Sequence, residues 1–220
     1  MRAQATLLVG AGVAAALHVA KLPPALVALR DALGLSLVQA GFLLSAVQLA
    51  GMLAGVAFGA AVDGLGHRRS LVGGLTLLAL ASATGAFVDH AGALLLLRAV
   101  EGCGFLLVVL AAPPLLRQVV PAAELPQVLA VWGAYVPMAT AAAFLVGPLV
   151  VVAWGWRPWW FGLALLTAVV AAAASWGLGR SATMSSARRV AAPPGREDAA
   201  PASSSAGGEW VRRLRLTLRH

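Results

Sequence analysis

Gly59-Ala60-Ala61-Val62-Asp63-Gly64-Leu65-Gly66-His67-Arg68-Arg69-Ser70-Leu71 joins two long apolar stretches of this 220-residue chain through a turn that is short, glycine-rich and cationic. Soluble loops seldom need such a composition. Gly51, Gly55, Gly59 and Asp63 recur at every fourth position, so on a helix they share one face, a small-residue groove that ends in a carboxylate. A groove of this kind lets another helix approach closely. Asp63 then favours the positive N-terminal end of that helix, or pairs with Arg68 or Arg69.

Working outward, the solvent of the chain is fixed by grouping as much as by amount. Hydrophobic residues make up 60% and charged residues only 11%, and the apolar residues lie in blocks that suit a bilayer. The net charge of +8 does not indicate nucleic acid, because the cations sit between and after the apolar blocks instead of forming a soluble basic face. Cys103 is the sole cysteine, which excludes an intramolecular disulfide; inside an apolar run it reads as a small filler.

Six runs are long enough to cross about 30 Å of hydrocarbon as helices. They cover 3–29, 37–62, 70–88, 93–116, 128–152 and 159–178. All six must be helical, since backbone groups left unpaired in lipid would cost several kcal/mol each. The fold class expected is therefore all-α, a polytopic membrane protein with one bundle of six transmembrane helices over 1–179. The first run is too long for a signal peptide, carries Lys21 and Pro23-Pro24, and lacks a convincing cleavage site. Ser36 with Gln39 starts the second run as a capping box, and Pro126 suits the first turn of the fifth.

Cations set the expected orientation. Arg2, Arg68, Arg69, Arg117 and the arginines after Gly179 fall on one side, against only Arg30 and Arg157 on the other, which places both termini in the cytoplasm. Trp154, Trp156, Trp159 and Trp160 then read as a belt at the outer interface. Residues 180–220 turn to Ser, Ala, Pro, Gly and Arg and read as a disordered basic tail. Its terminal stretch from Glu209 mixes Trp210, Val211, Leu214 and Leu218 with arginines, as a helix on an anionic membrane surface would.

Four motifs in order carry a family resemblance. Gly59, Asp63, Gly66, Arg68 and Arg69 resemble the loop between the second and third helices of the major facilitator superfamily, with Gly64 and His67 where that family usually has basic residues. Arg98-Ala99-Val100-Glu101-Gly102 is similar to the family's Arg-x-x-Gln-Gly pattern in the fourth helix, with Glu101 in place of the amide. Gly147-Pro148 resembles the Gly-Pro signature of the fifth helix, although Val150 and Val151 stand where glycines often follow. Gly155-Trp156-Arg157-Pro158-Trp159-Trp160-Phe161 resembles the start of the sixth. The resemblance implies a secondary transporter in which two six-helix bundles alternate access to a midplane site. It also implies a partner for the glycine groove, either a second six-helix half or another copy in a homodimer, so that this chain is a half or truncated transporter.

Charges inside the runs carry the functional expectation, because a charge at depth is costly and faces a cavity or a partner. Lys21 lies about 27 Å along the first helix, and Arg98 about 8 Å from the outer start of the antiparallel fourth. His18 and Glu101 lie about one turn deeper than these. If the first and fourth helices face a common cavity, as the resemblance implies, His18, Lys21, Arg98 and Glu101 form a site for a small organic anion. Plainer readings stand beside this one: Glu101 neutralises Arg98 at i,i+3, Lys21 snorkels outward, and His18 is a packed polar residue. As a hypothesis, Glu101 also carries the proton of ion coupling.

Gly51, Gly55, Gly147 and Pro148 are expected at helix contacts. Pro23-Pro24, Pro113-Pro114, Pro137 and Pro148 each remove a backbone donor and permit bends. Trp132 and Tyr135 bring two aromatics to the inner part of the fifth run. Enzyme readings fail: the chain has no Gly-x-Ser-x-Gly elbow, no His-Glu-x-x-His, no cluster with metal-ligand spacing and no phosphate-cradling Gly-x-x-x-x-Gly-Lys. No metal or cofactor is expected. The expected partners are a small-molecule solute and the lipid bilayer. The rival readings are a six-span permease of an ABC importer, whose coupling helix the loop 117–127 lacks, and an inactive fragment.

Overall fold

The computed structural model describes residues 2–190, with side chains over 3–179 except at position 50. Every described element is helical: α1 (Arg2–Ala20), α2 (Leu22–Leu33), α3 (Leu37–Leu65), α4 (His67–Gly85), α5 (Ala91–Val119), α6 (Leu125–Gly133), α7 (Tyr135–Trp154) and α8 (Trp156–Val190). Met1–Thr183 form one compact unit, and the remainder is described only to the end of α8. The continuation of α8 runs past the boundary expected at residue 179. The amphipathic segment expected from Glu209 lies outside the described residues.

Among the described residues five stretches are long and apolar enough to cross a membrane: Ala3–Leu33, Leu37–Leu65, Ala91–Val119, Leu125–Trp154 and Trp156–Gly179. The sixth expected span, α4, falls short on composition, because it starts on His67, Arg68 and Arg69 and includes Gly73-Gly74. It nonetheless buries Leu71, Leu75 and Leu78 in the core beside α5, as a bundle member would.

Two expected single helices are broken. The first run divides at Lys21, where the proline pair 23–24 begins α2 and leaves no N–H to continue the ladder. The fifth divides at Ala134, whose φ −86°, ψ 0° ends α6 before Tyr135 starts α7. The capping box at Ser36 is present: Gln39 N–H donates to Ser36 Oγ at 3.2 Å, and Ser36 N–H donates to Gln39 Oε1 at 2.9 Å. Pro126 sits in the first turn of α6, as expected.

Close helix contact occurs where side chains vanish on both sides. A Cβ on Gly74 would meet the Gly104 carbonyl at 2.7 Å, and one on Gly104 would meet the Gly74 carbonyl at 2.8 Å, so α4 and α5 touch backbone to backbone. Gly147 is similarly pressed, with Pro24 Cγ only 2.9 Å from its would-be Cβ, and this joins α7 to α2. The groove on α3 behaves otherwise: Gly51 reaches only Leu106, at 3.6 Å, while Gly55 and Gly59 meet no described atom. Gly147 thus makes a close contact within this bundle, and Gly55 does not. Met52, Leu53 and Val56 of α3, and Leu145, Leu149 and Val152 of α7, leave these two helices with exposed apolar faces.

The two ends of the bundle are pinned differently. At the end where α1 begins, Gln4 donates to Gly177 O at 3.3 Å and Arg68 Nη2 donates to Ser175 O at 2.7 Å, so α1 and α4 both start against the same stretch of α8. At the opposite end Arg157 pairs with Asp89, donates to Ala86 O at 2.7 Å and lies 4.7 Å over the Trp156 ring.

Candidate functional site

Four helices converge on one carboxylate. Lys21 comes from the α1–α2 break, Ser82 from α4, Arg98 and Glu101 from α5, and Thr167 with Trp160 from α8. Arg98 and Glu101 stand three residues apart, so they share a face of α5, and the Lys21 side chain meets that face from the junction of α1 and α2. The four residues expected at the site, His18, Lys21, Arg98 and Glu101, are brought together here, each 1% exposed or less.

Glu101 divides its two oxygens between two cations. Oε1 accepts from Lys21 Nζ at 2.6 Å, and Oε2 accepts from Arg98 Nη1 at 2.5 Å. Lys21 Nζ also donates to Ser82 Oγ at 2.7 Å and to His18 Nδ1 at 3.4 Å, and it lies 4.6 Å from the Trp160 ring centroid. Because an ammonium has only donors, His18 Nδ1 accepts, and Nε2–H is left to donate to Thr167 Oγ1 at 2.8 Å. Arg98 Nη1 donates a second time, to the His18 carbonyl, at 2.5 Å. The Ser82 hydroxyl in turn donates to Trp160 O at 3.1 Å.

Lys21 does not snorkel. Snorkelling requires a route to the interface, whereas this side chain is 0% exposed and ends against Glu101, Ser82, His18 and an indole face. The tryptophan belt also needs correction: Trp154 faces outward, but Trp156, Trp159 and Trp160 are buried. Trp159 Nε1 donates to Lys21 O at 3.0 Å, a carbonyl next to the helix break, so these indoles hold the charged cluster. Trp156 packs edge-on against Trp160 with ring centroids 5.6 Å apart.

Ser82, Thr167, Trp159 and Trp160 join the cluster without being among the residues the sequence points to. A signal existed for the first two, each a hydroxyl in the middle of an apolar run. Among the described residues four fully buried side-chain atoms have no partner: Ser70 Oγ, away from the cluster, and Arg98 Nε, Arg98 Nη2 and Trp160 Nε1 within it. Elsewhere Trp132 stacks on Tyr135 at 4.7 Å, with its ring filling the space a side chain at Gly12 would take.

The turn after α3 is looser. Gly66 at φ 85° makes the corner, a value that favours glycine. Asp63 is 82% exposed and lies 4.0 Å from His67 rather than pairing with Arg68, which is committed to α8. No group of His, Cys, Asp and Glu suited to a metal occurs among the described residues.

A helical bundle with apolar spans around an internal ion network is a polytopic membrane protein. The sequence matches the model of the Major Facilitator Superfamily over residues 6–216, and the chain belongs to that family, whose members transport solutes across membranes. A comparison with curated proteins gave no match.

Proposed function

We propose that this chain is one six-helix half of a secondary transporter of the cell membrane, moving a small solute by alternating access against a second bundle. The observation that carries the reading is the buried network of Lys21, Arg98 and Glu101, which four helices build at depth where a charge is costly. Structural stability does not require it, since a buried ion pair seldom outperforms apolar packing. Its solute is bound among His18, Lys21, Arg98 and Glu101, and Glu101 exchanges the coupling proton. The open glycine groove and apolar faces of α3 and α7 receive the second bundle, either another six-helix half or a second copy of this chain. Clustering of Arg68, Arg69 and Arg117 at the α1 end favours both termini in the cytoplasm. Family membership supports this reading over an importer permease.

The test works whichever solute is carried. Vesicles containing the assembled transporter and an internal pH-sensitive dye are exposed to gradients of acids, amines and neutral solutes. Some solute class should move protons, and Glu101→Gln, which keeps shape and a hydrogen-bond acceptor, should abolish that movement. Equal proton movement by Glu101→Gln, or none with any solute, rejects the reading.

A further inference from the structure

We infer that the solute is a small carboxylate, held side-on by the free edge of Arg98. Of the three guanidinium nitrogens, only Nη1 is engaged, by Glu101 Oε2 and by the His18 carbonyl. Nε and Nη2 are buried without a partner. Those two nitrogens share one edge of the guanidinium plane, and their N–H bonds on that edge run parallel. Two parallel donors fit two acceptor oxygens of one oxyanion, which a carboxylate or a phosphate offers and an amide, an alcohol or a spherical ion does not; the single unbalanced positive charge of the cluster selects the carboxylate. Leaving such donors buried and unmatched is costly, so a ligand that matches them binds where most others are rejected.

Charge points the same way. Among the described residues Glu101 is the sole carboxylate in contact with the two cations, so Lys21 and Arg98 outnumber it. One added carboxylate balances the cluster, and a cation would worsen it. Lys21 is already fully engaged by Glu101, Ser82 and His18, which leaves recognition of the ligand to Arg98. Because Arg98 is almost wholly buried, a ligand reaches it only when the surrounding helices part. The inference therefore rests on the alternating-access reading.

The probes are propionate and benzoate, with propionamide and benzamide as uncharged matches and chloride as a point charge, added to the full chain in lipid nanodiscs. The readouts are the unfolding midpoint and the fluorescence of Trp159 and Trp160, which touch Lys21. At least one acid should raise the midpoint and change the emission while its amide does neither. Arg98→Lys, which keeps the charge and loses the fork, should weaken acid binding at least tenfold. Amides that bind as well as acids, chloride that reproduces the acid effect, no response to either acid, or unchanged acid affinity in folded Arg98→Lys would each overturn the proposal. Should Arg98→Lys not fold, the comparison of acid with amide in the unaltered chain decides. Proton movement driven by neutral or cationic solutes in vesicles, without acid binding, sinks the carboxylate and spares the transporter. Acid binding without any solute-driven proton movement does the reverse.

Discussion

The cluster around Glu101 and the turn around Asp63 are both mixtures of acid and base, and they are held in opposite ways. Glu101 has a cation on each oxygen and is 1% exposed, while Asp63 is 82% exposed with only His67 at 4.0 Å. The turn has the stronger sequence signature and the weaker set of contacts. The difference separates two jobs: the ion pairs of the cluster are made within one bundle, whereas the turn presents a carboxylate at the end of a glycine face that no side chain of this bundle fills at Gly55 or Gly59. A motif that is plain in sequence and loose in structure points to a contact made with something else.

The largest expected effect tests the closed side of that contrast. Glu101→Ala removes the counter-charge from two buried cations, and the chain in detergent should lose about 3–5 kcal/mol of stability. A loss under about 1 kcal/mol would mean that water reaches Lys21 and Arg98, and the cluster would then resemble the turn. A smaller change sharpens the picture. Ser82→Ala removes one acceptor from Lys21 and one donor from Trp160 O, and should cost about 1–2 kcal/mol by thermal unfolding. No loss would show that Glu101 alone fixes the ammonium.

The order of the spans was legible because lipid leaves the chain few options: apolar length implies a helix, and a helix in lipid must satisfy its own backbone. The breaks at Lys21 and Ala134 were less so. Pro23-Pro24 announced a bend, but only the packed bundle shows that Lys21, just before it, faces Glu101 and Ser82. The site residues His18, Lys21, Arg98 and Glu101 could be placed at similar depth from helix rise alone, because antiparallel helices share one ruler. Rotation about each axis was not available from that ruler. In sequence the inward-facing Trp159 and Trp160 read as an interfacial belt, and the hydroxyls of Ser82 and Thr167 carry no sign of which way they face. The same limit hid Gly74 and Gly104, since a close backbone contact needs both partners to be known, whereas the Gly51-Gly55-Gly59 series shows itself in one helix and, among the described residues, finds no close neighbour at Gly55 or Gly59.

The smallest expected effect is the most discriminating. Asp63→Asn should shift the stability of the isolated bundle by no more than about 0.5 kcal/mol, because a carboxylate this exposed gains little from a histidine 4.0 Å away. Arg68, which does hold the bundle, reaches the Ser175 carbonyl and is untouched by the change. In vesicles containing the assembled transporter, the same substitution should slow solute-driven proton movement, since the partner bundle loses the charge it meets across the groove. A stability loss of about 2 kcal/mol in the isolated chain would make Asp63 a structural residue of this bundle. Unchanged stability with unchanged proton movement would leave the turn without a partner, and the contrast with Glu101 would then reflect only depth in the membrane.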